Sequence, residues 1–303
     1  MEKKPFKADH LAELQQSEDV KGRSLWQDAL RRLMHNKAAV VSMFLLSIIV
    51  ILAILAPHLS PWAYDDPDWG YDFPGPPNLE LKHWFGTDGN GRDLFVRTLF
   101  GARISLMVGI LATTVSLLIG VTYGATAGYI GGRIDNVMMR FVDMMYSLPF
   151  MFFVILLMVI FGRNIFLIFI ALGAVEWLTM ARIVRGQTLS VKKKEFIEAA
   201  HAVGVPTWKI ILRHIIPNVL GPVIVYMTLT IPQVILTESF LSFLGLGVQE
   251  PNTSWGVLIS EGAKQMESSP WLLIFPAIFL ALTLFCFNFI GDGLRDALDP
   301  KDR

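Results

Sequence analysis

The chain has 303 residues, of which 53% are hydrophobic and only 17% are charged, and its mean hydropathy is +0.50. A soluble domain rarely combines such values, so the composition indicates an integral membrane protein. The formal net charge of zero gives no bulk electrostatic reason to expect a nucleic-acid partner. The one cysteine, Cys286, lies inside an apolar run and has no partner for an intrachain disulfide.

The first 37 residues are polar and lack the apolar core of a cleavable signal, so the first apolar segment is expected to act as an uncleaved anchor. Residues 1–23 are expected to be poorly ordered. Between Ser24 and Lys37, apolar residues share one helical face and basic residues lie mostly opposite. This pattern is typical of a helix that lies in the membrane interface.

Six segments are candidates to cross the bilayer, because a helix needs about 20 apolar residues to span the hydrocarbon. They are 38–57, 104–132, 144–162, 165–181, 215–237 and 270–290. The fourth is short and contains Glu176, but omitting it would place the polar loop that follows on the wrong side. The sequence therefore predicts an all-α integral membrane protein with six transmembrane helices.

Twenty of the 26 lysines and arginines fall in the N-terminal tail, the turn at 129–140, the loop at 181–214 and the C-terminal tail. Because positive residues are enriched on the cytoplasmic side, both termini and this loop are predicted to be cytoplasmic. The predicted organisation is a tail at 1–37, a first transmembrane helix at 38–57, a periplasmic loop at 58–103, a five-helix core at 104–290 with a cytoplasmic loop at 182–214, and a tail at 291–303.

The outer loop is acidic and rich in turns, and little regular structure is expected before Glu80. Its segment DGNGRD (88–93) has the outline of a calcium loop, but Arg92 occupies a ligand position and Leu99 stands where the closing glutamate should be. A turn that opens a short helix, with Asp88 or Asp93 near its N-terminus, is the preferred interpretation.

In the second span, small residues recur every four positions and form a flat helical ridge that lets another helix approach closely. They are Ala112, Ser116, Gly120, Gly124 and Gly128. We interpret this ridge as a helix-packing surface.

Three features of the next two spans concern charge and bending. Arg140 and Asp143 are three residues apart and are expected to pair, and Pro149 predicts a local bend. Glu176 either pairs with Arg182 or Arg185, or faces a watery pathway. Its distance of about one turn from the predicted end of its span favours the pairing.

The segment EFIEAAHAVGVPTWKIILRHIIP (195–217) predicts a short helix, a left-handed stop at Gly204 and a second helix that starts near Pro206. Its predicted use is to contact something outside the bilayer. The span that follows contains Pro217, Pro222 and Pro232, which are expected to kink it.

The pattern Glu198-Ala199-Ala200, Gly204 and Ile215-Ile216-Pro217 resembles the EAA loop of bacterial ABC importer permeases. The segments 86–106, 242–256 and 292–300 resemble those of the C-type permease subunits of dipeptide, oligopeptide and nickel importers, with the oligopeptide permeases most similar. Trp255, in the second of these segments, is predicted with equal weight to be a lipid-interface anchor or a partner contact.

The resemblance implies the type I ABC importer permease fold in the bacterial inner membrane. It also implies a homologous permease subunit as heterodimer partner, two ATPase subunits and a periplasmic peptide-binding protein. Glu198, Ala199, Ala200 and Gly204 would form the contact with the ATPase. This chain itself would bind no cofactor and no metal, since ATP and magnesium would sit on the ATPase subunits.

No phosphate loop, zinc-binding helix motif, nucleophile elbow or Cys/His cluster occurs in the sequence, so it predicts no enzyme. Within the resembled family, nickel or dipeptide cargo remains an alternative. An ion-coupled secondary transporter is a less favoured alternative, because it would need embedded ion sites and an inverted repeat, and the sequence offers only Glu176. A purely structural scaffold would have no use for the cytoplasmic helix-turn-helix.

Overall fold

The computed structural model describes residues 25–161 and 165–298, and within these ranges the regular structure is helical, with three isolated β-bridges in the outer loop. The predictions for residues 1–23 and 299–303 lie outside the described residues. The α-helices are α1 (Leu25–His35), α2 (Lys37–Leu59), α3 (Leu94–Ile130), α4 (Gly132–Ser147), α5 (Phe150–Phe161), α6 (Ile165–Val191), α7 (Glu195–Ala202), α8 (Thr207–Ile210), α9 (Ile216–Phe243), α10 (Trp255–Lys264) and α11 (Trp271–Leu298), and a π-helical turn, Ile211–Ile215, joins α8 to α9.

Five described helices are long and apolar enough to cross a membrane. They are Lys37–Leu59, Leu94–Ile130, Phe166–Val191, Thr207–Phe243 and Trp271–Leu298. The second and fourth have 37 residues each, about 55 Å at 1.5 Å per residue. Both therefore extend beyond a hydrocarbon core of about 30 Å, and the boundaries predicted from apolar residues alone were too short. The all-α fold is confirmed, whereas the count of six spans is not.

The predicted span at 144–162 is divided between α4 and α5. Leu148 ends α4 with φ −76° and ψ 130°, as expected because a residue before proline is pushed out of the helical region. The bend predicted at Pro149 is thus a break. The 12 residues of α5 cover about 18 Å, too little to cross the hydrocarbon alone.

The amphipathic helix predicted between residues 24 and 37 is confirmed as α1. Its Ala29 and Leu33 are buried against α2 and α11, whereas Leu30 and Met34 are exposed. It ends before Lys37 because Asn36 caps the next helix, its side-chain oxygen accepting a hydrogen bond from the amide of Ala39 at 3.2 Å.

The small residues of α3 face α6 across the tightest helix contact in the described core. A Cβ at Gly120 would lie 2.6 Å from that of Met180, and one at Gly124 would lie 2.3 Å from the carbonyl oxygen of Ala181. At Gly128 it would lie 2.9 Å from the Thr188 side chain. Ala112 and Ser116 are fully buried on the same helix. The two backbones therefore approach more closely than any larger residue permits.

The charge pairings predicted around Glu176 are wrong. α6 continues to Val191, ten residues beyond the predicted end, so Arg182 and Arg185 remain helical. Arg182 pairs with Asp143 at 2.6 Å, and Arg185 makes a two-point contact with Asp135 at 2.5 and 2.6 Å. These arginines join α6 to α4.

Asp143 thus pairs with α6 and not with Arg140, because residues on adjacent helices offer a shorter contact than the predicted neighbour on the same helix. Glu176 has no described cationic partner, and it lies near the middle of a 27-residue helix, not one turn from its end. The sequence pattern of a single helix could not show that Asp143 pairs across helices or that α6 continues well past Glu176.

Gly124→Ala is expected to destabilise the protein by about 1–3 kcal/mol, because the carbonyl group in its way belongs to the backbone of α6 and cannot rotate aside. Thermal unfolding of the purified protein in detergent measures the effect. Gly186→Ala is the matched control, since nothing lies within 4 Å of that position, and it should be neutral or stabilising by up to about 1 kcal/mol. Equal stability of the two variants would contradict this account of the α3–α6 contact.

Candidate functional site

The loop at 192–210 projects from one end of the helix bundle and is anchored by one face of α7. Ile197 and Ala200 are buried in a cluster with Val184 and Ile210. Lys192 donates a hydrogen bond to the carbonyl oxygen of Tyr129 at 2.5 Å, which fixes the start of the loop to the end of α3. The loop is therefore part of the packed structure and not a free linker.

The opposite face of the loop is exposed and partly apolar. Phe196 is 41% exposed, Trp208 is 60% exposed and Val203 is 78% exposed. Glu198 and Ala199 are exposed on the same segment, whereas Ala200 points into the bundle. Several large apolar side chains exposed beside charged ones, beyond the apolar length of the spans, are typical of a surface that binds another protein.

Gly204 ends α7 in the left-handed conformation predicted for it, with φ +79°. The amide of Val205 donates to the carbonyl oxygen of Ala200 at 3.1 Å, and that of Gly204 donates to His201 at 3.0 Å. These two bonds form a Schellman motif, which satisfies the last carbonyl groups of the helix. Pro206 then caps α8. The sharp turn places α7 and α8 at the tip of the loop.

A groove of about 550 Å³ lies between α7 and the end of α3. Glu198 and His201 line it from the loop, and Tyr129 and Lys192 line it from the bundle. The groove thus offers both a carboxylate and an ammonium group beside exposed apolar surface.

The loop is connected to the membrane without a break in the helix. The π-helical turn Ile211–Ile215 lies between α8 and α9, and Pro217 follows it in the first turn of α9. Proline cannot donate the backbone hydrogen bond of a regular helix, and a wide turn accommodates the loss. The predicted irregularity at Pro217 is therefore a π turn.

At the other end of the bundle, His83 organises the outer loop. Its Nδ1 lies 2.8 Å from Asp93 and its Nε2 lies 3.2 Å from Asp68. Trp62 and Tyr71 stack on its ring with centroid distances of 4.5 and 5.3 Å. Burial raises the pKa of the Asp93 carboxyl, whereas hydrogen bonds from the Gly70 amide and His83 lower the pKa of Asp68.

Residues 88–93 form the turn predicted for them, but the helix that follows is the 37-residue α3 and not a short one. Asp93 caps α3 by accepting from the amide of Val96 at 2.8 Å. The side chain of Asp88 accepts from the Arg92 backbone amide at 3.0 Å and the Arg92 side chain at 2.9 Å. Arg92 also pairs with Glu250 at 2.9 Å, which ties the two outer loops together.

Both interpretations of Trp255 are wrong. Its side chain is fully buried, and its indole N–H donates to the carbonyl oxygen of Thr98 at 3.0 Å. Its own amide donates to the hydroxyl of Ser105 at 3.2 Å. α10 folds back onto α3, so the indole fills the space between helices and meets neither lipid nor solvent.

Sequence reasoning missed two residues that organise this outer end. One is His83, which belongs to no spaced motif. The other is Glu238 on α9, which is fully buried and accepts from Ser242 at 2.6 Å and from Ser254 at 2.8 Å. Glu238 was detectable, because an acidic residue inside an apolar run is costly unless it is bonded.

The described residues therefore define a multi-pass membrane protein with a packed helical core, a folded cap at one end and, at the other end, a loop with an exposed, partly apolar face. The chain belongs to the family of binding-protein-dependent transport system inner membrane components, which matches residues 116–303. Residues 24–79 match the N-terminal transmembrane domain of oligopeptide transport permease C. It is an inner-membrane permease of the ABC importer class, as the resemblance predicted.

Curated relatives support this assignment over nearly the full chain. The oligopeptide transport system permease protein OppC of Haemophilus influenzae is 62% identical over 98% of this chain and 94% of its own length. OppC of Escherichia coli K12 is 61% identical, covering 94% of each chain. The dipeptide permease DppC of Bacillus subtilis is 49% identical over 92% of this chain and 87% of its own length.

Among solved structures, an inward-facing conformation of the MetNI methionine ABC transporter superposes with a TM-score of 0.54. The match covers 67% of this chain and 96% of that one, at 17% sequence identity. It confirms the permease fold predicted from the sequence.

Gly204→Ala should strain the α7–α8 turn by about 1–2 kcal/mol, the cost of a left-handed conformation with a Cβ. The cause is conformational and not steric, because nothing lies within 4 Å of the position. Gly204→Asn is the matched variant, since asparagine tolerates this conformation. Limited proteolysis of the loop should be faster for alanine than for asparagine. Equal proteolysis rates for the two variants would show that the positive φ at position 204 does not determine the stability of the turn.

Proposed function

We propose that this chain is one of two homologous membrane subunits of an ATP-driven oligopeptide importer and forms half of its translocation pathway. The observation that carries the proposal is the exposed face of α7, which is anchored in the bundle by Ile197 and Ala200 yet offers Glu198, Ala199 and Phe196 to a partner. On this proposal the partner is an ATPase subunit, and each of the two permease subunits engages one.

The arrangement of the described helices supports a cytoplasmic location for the loop and for both termini. α1 packs against the end of α11 around Ala29 and Ala297. The end of α11 in turn shares a groove with Ile183 and Gln187, close to the loop. The first described helix, the end of the last one and the loop therefore occupy one end of the bundle, and the segments predicted to be cytoplasmic from their lysine and arginine content join it there.

Transport on this proposal is driven from outside the chain. ATP and magnesium are held by the two ATPase subunits. When these two subunits close on each other, they move the loop at 192–210 of this chain towards the equivalent loop of the other permease subunit. The continuous helix from Thr207 to Phe243 carries that movement to the outer end of the membrane. The ATPases shift the permease towards one conformation only by binding it more tightly than the other.

The outer cap is the proposed contact for a periplasmic peptide-binding protein. Its two segments, at 60–93 and 244–254, are held together by the Arg92–Glu250 ion pair and rest on α3 through Trp255. Because the cap is joined to α3, a movement of the cap when a peptide-loaded binding protein docks can be transmitted to the helix bundle.

Oligopeptides are favoured over dipeptides or nickel as cargo. The relatives from Haemophilus influenzae and Escherichia coli, at 61–62% identity, are named as oligopeptide permeases, whereas the two Bacillus subtilis relatives, an oligopeptide and a dipeptide permease, are 47% and 49% identical. The proposal is preferred to the secondary-transporter alternative, because membership in a binding-protein-dependent transport family supports a driving force supplied by partner subunits.

Ala199→Arg tests the coupling surface. Placing a charged, bulky side chain at the centre of the contact should weaken ATPase binding by about 30-fold or more, because central interface positions carry most of the binding energy. Affinity purification of the tagged chain measures retained ATPase, and uptake of labelled tripeptides measures transport. Both should be lost while the chain remains in the membrane.

Ala38→Arg is the matched control, since Ala38 is also exposed but lies on α2. That variant should retain the ATPase and its uptake. Normal ATPase retention and uptake in the Ala199→Arg importer would refute the proposed coupling role of α7.

A further inference from the structure

Glu176 is a carboxylate near the middle of α6, which is long enough to cross the membrane. Its side chain is half-buried. Among the described residues, the two nearest arginines of its helix are engaged elsewhere, Arg182 by Asp143 and Arg185 by Asp135. A charged group at bilayer depth is costly unless it meets an opposite charge or water. The fold therefore retains a carboxylate that its own cations do not neutralise.

Polar side chains from three helices lie near this carboxylate. The hydroxyl groups of Tyr146 on α4 and Thr179 on α6 form a hydrogen bond. Tyr226 on α9 lies close enough to interact electrostatically with Glu176, and Thr179, three residues after Glu176, lies on the same side of α6. We call Glu176, Thr179, Tyr146 and Tyr226 the polar cluster. Three phenol or alcohol groups around one carboxylate make a site that can hold water or a cationic group.

The polar cluster opens towards the end of the bundle that bears the loop. A groove of about 560 Å³ runs between α6, α9 and the end of α11, and Tyr226 belongs to both the groove and the polar cluster. Gln187 and Arg295 add polar groups farther along it. The groove thus places polar groups between Tyr226 and the loop end of the bundle.

We propose that the polar cluster lines the transport pathway and that Glu176 binds positively charged groups of the cargo as it passes. The chemical class recognised is an alkylammonium or guanidinium group, such as the free amino terminus of a peptide or a lysine or arginine side chain. The hydroxyl groups of Thr179 and Tyr226 supply the remaining hydrogen bonds. This inference deepens the proposed import of peptides and rests on it.

Cysteine accessibility tests whether the polar cluster is wet and negatively charged. The only native cysteine, Cys286, is buried, and Cys286→Ala gives a background without thiols. In the assembled importer, Thr179→Cys should react with both cationic trimethylammonium-ethyl and anionic sulfonato-ethyl methanethiosulfonate, with and without MgATP. The cationic reagent should react about tenfold faster, corrected for the reagents' rates with free cysteine, because a nearby carboxylate attracts it. Glu176→Gln should remove that preference.

Ile170→Cys is the matched control, because Ile170 lies on α6 and is exposed on another face of the helix. It should react with neither reagent. No reaction at position 179 in either nucleotide state, or no cationic preference while Glu176 is intact, would overturn the inference. The preference for the cationic reagent is measured with Glu176 intact, so this criterion needs no variant of Glu176. If Thr179→Cys does not assemble into the importer, Gln187→Cys in the groove is tested with the same two reagents and judged by the same two criteria.

Uptake of a tripeptide series then tests the cargo class. Glu176→Gln should lower the uptake of a lysine-containing tripeptide about tenfold relative to a glutamate-containing one, and Glu176→Asp should restore most of the difference. Glu238→Gln is the comparison for a purely structural carboxyl and should change both peptides equally. Equal loss of both peptides in Glu176→Gln would overturn cation recognition. Absence of all peptide uptake by the native importer would instead overturn the proposed function.

Discussion

The close approach of α3 and α6 is the constraint on which the rest of the described structure depends. Gly120, Gly124 and Gly128 leave no space for a side chain between the two backbones. Because α6 is held against α3, its Val184 and Val191 are in place to pack against the buried face of α7. The same contact fixes the position of Glu176 along the bundle. One run of small residues thus sets the position of both the exposed loop and the polar cluster.

A second constraint is the unbroken helix that joins the loop to the outer cap. From Thr207 to Phe243 the backbone stays helical despite Pro222 and Pro232, and the π turn at Ile211–Ile215 absorbs the irregularity. A displacement at α8 therefore meets no non-helical joint before Phe243. The buried bonds of Glu238 and Ser254 then connect α9 to the start of α10.

Local patterns were enough to predict the membrane class, the small-residue ridge, the amphipathic helix α1 and the left-handed turn at Gly204, since each depends on residues within a few turns of one another. The errors share a different cause. Trp255 is bound by Thr98, 157 residues away, and Arg92 by Glu250, 158 residues away. No spacing rule covers such pairs. The ends of α3 and α6 were misplaced because helices continue past their apolar segments wherever polar residues find partners across the bundle.

The two carboxylates inside the membrane helices show why residue type alone does not define a role. Glu238 is fully buried, and its Oε1 accepts hydrogen bonds from Ser242 and Ser254, so it is enclosed within the chain. Glu176 is half-buried and interacts electrostatically with Tyr226, which lines a groove. A carboxylate in a membrane helix is costly at either place unless it is bonded or reaches water. Glu238 offsets part of that cost with fixed internal bonds, and its full burial keeps it away from a passing ligand. Glu176 is partly exposed and has no cationic partner among the described residues, which is the physical requirement for contacts that form and break during transport.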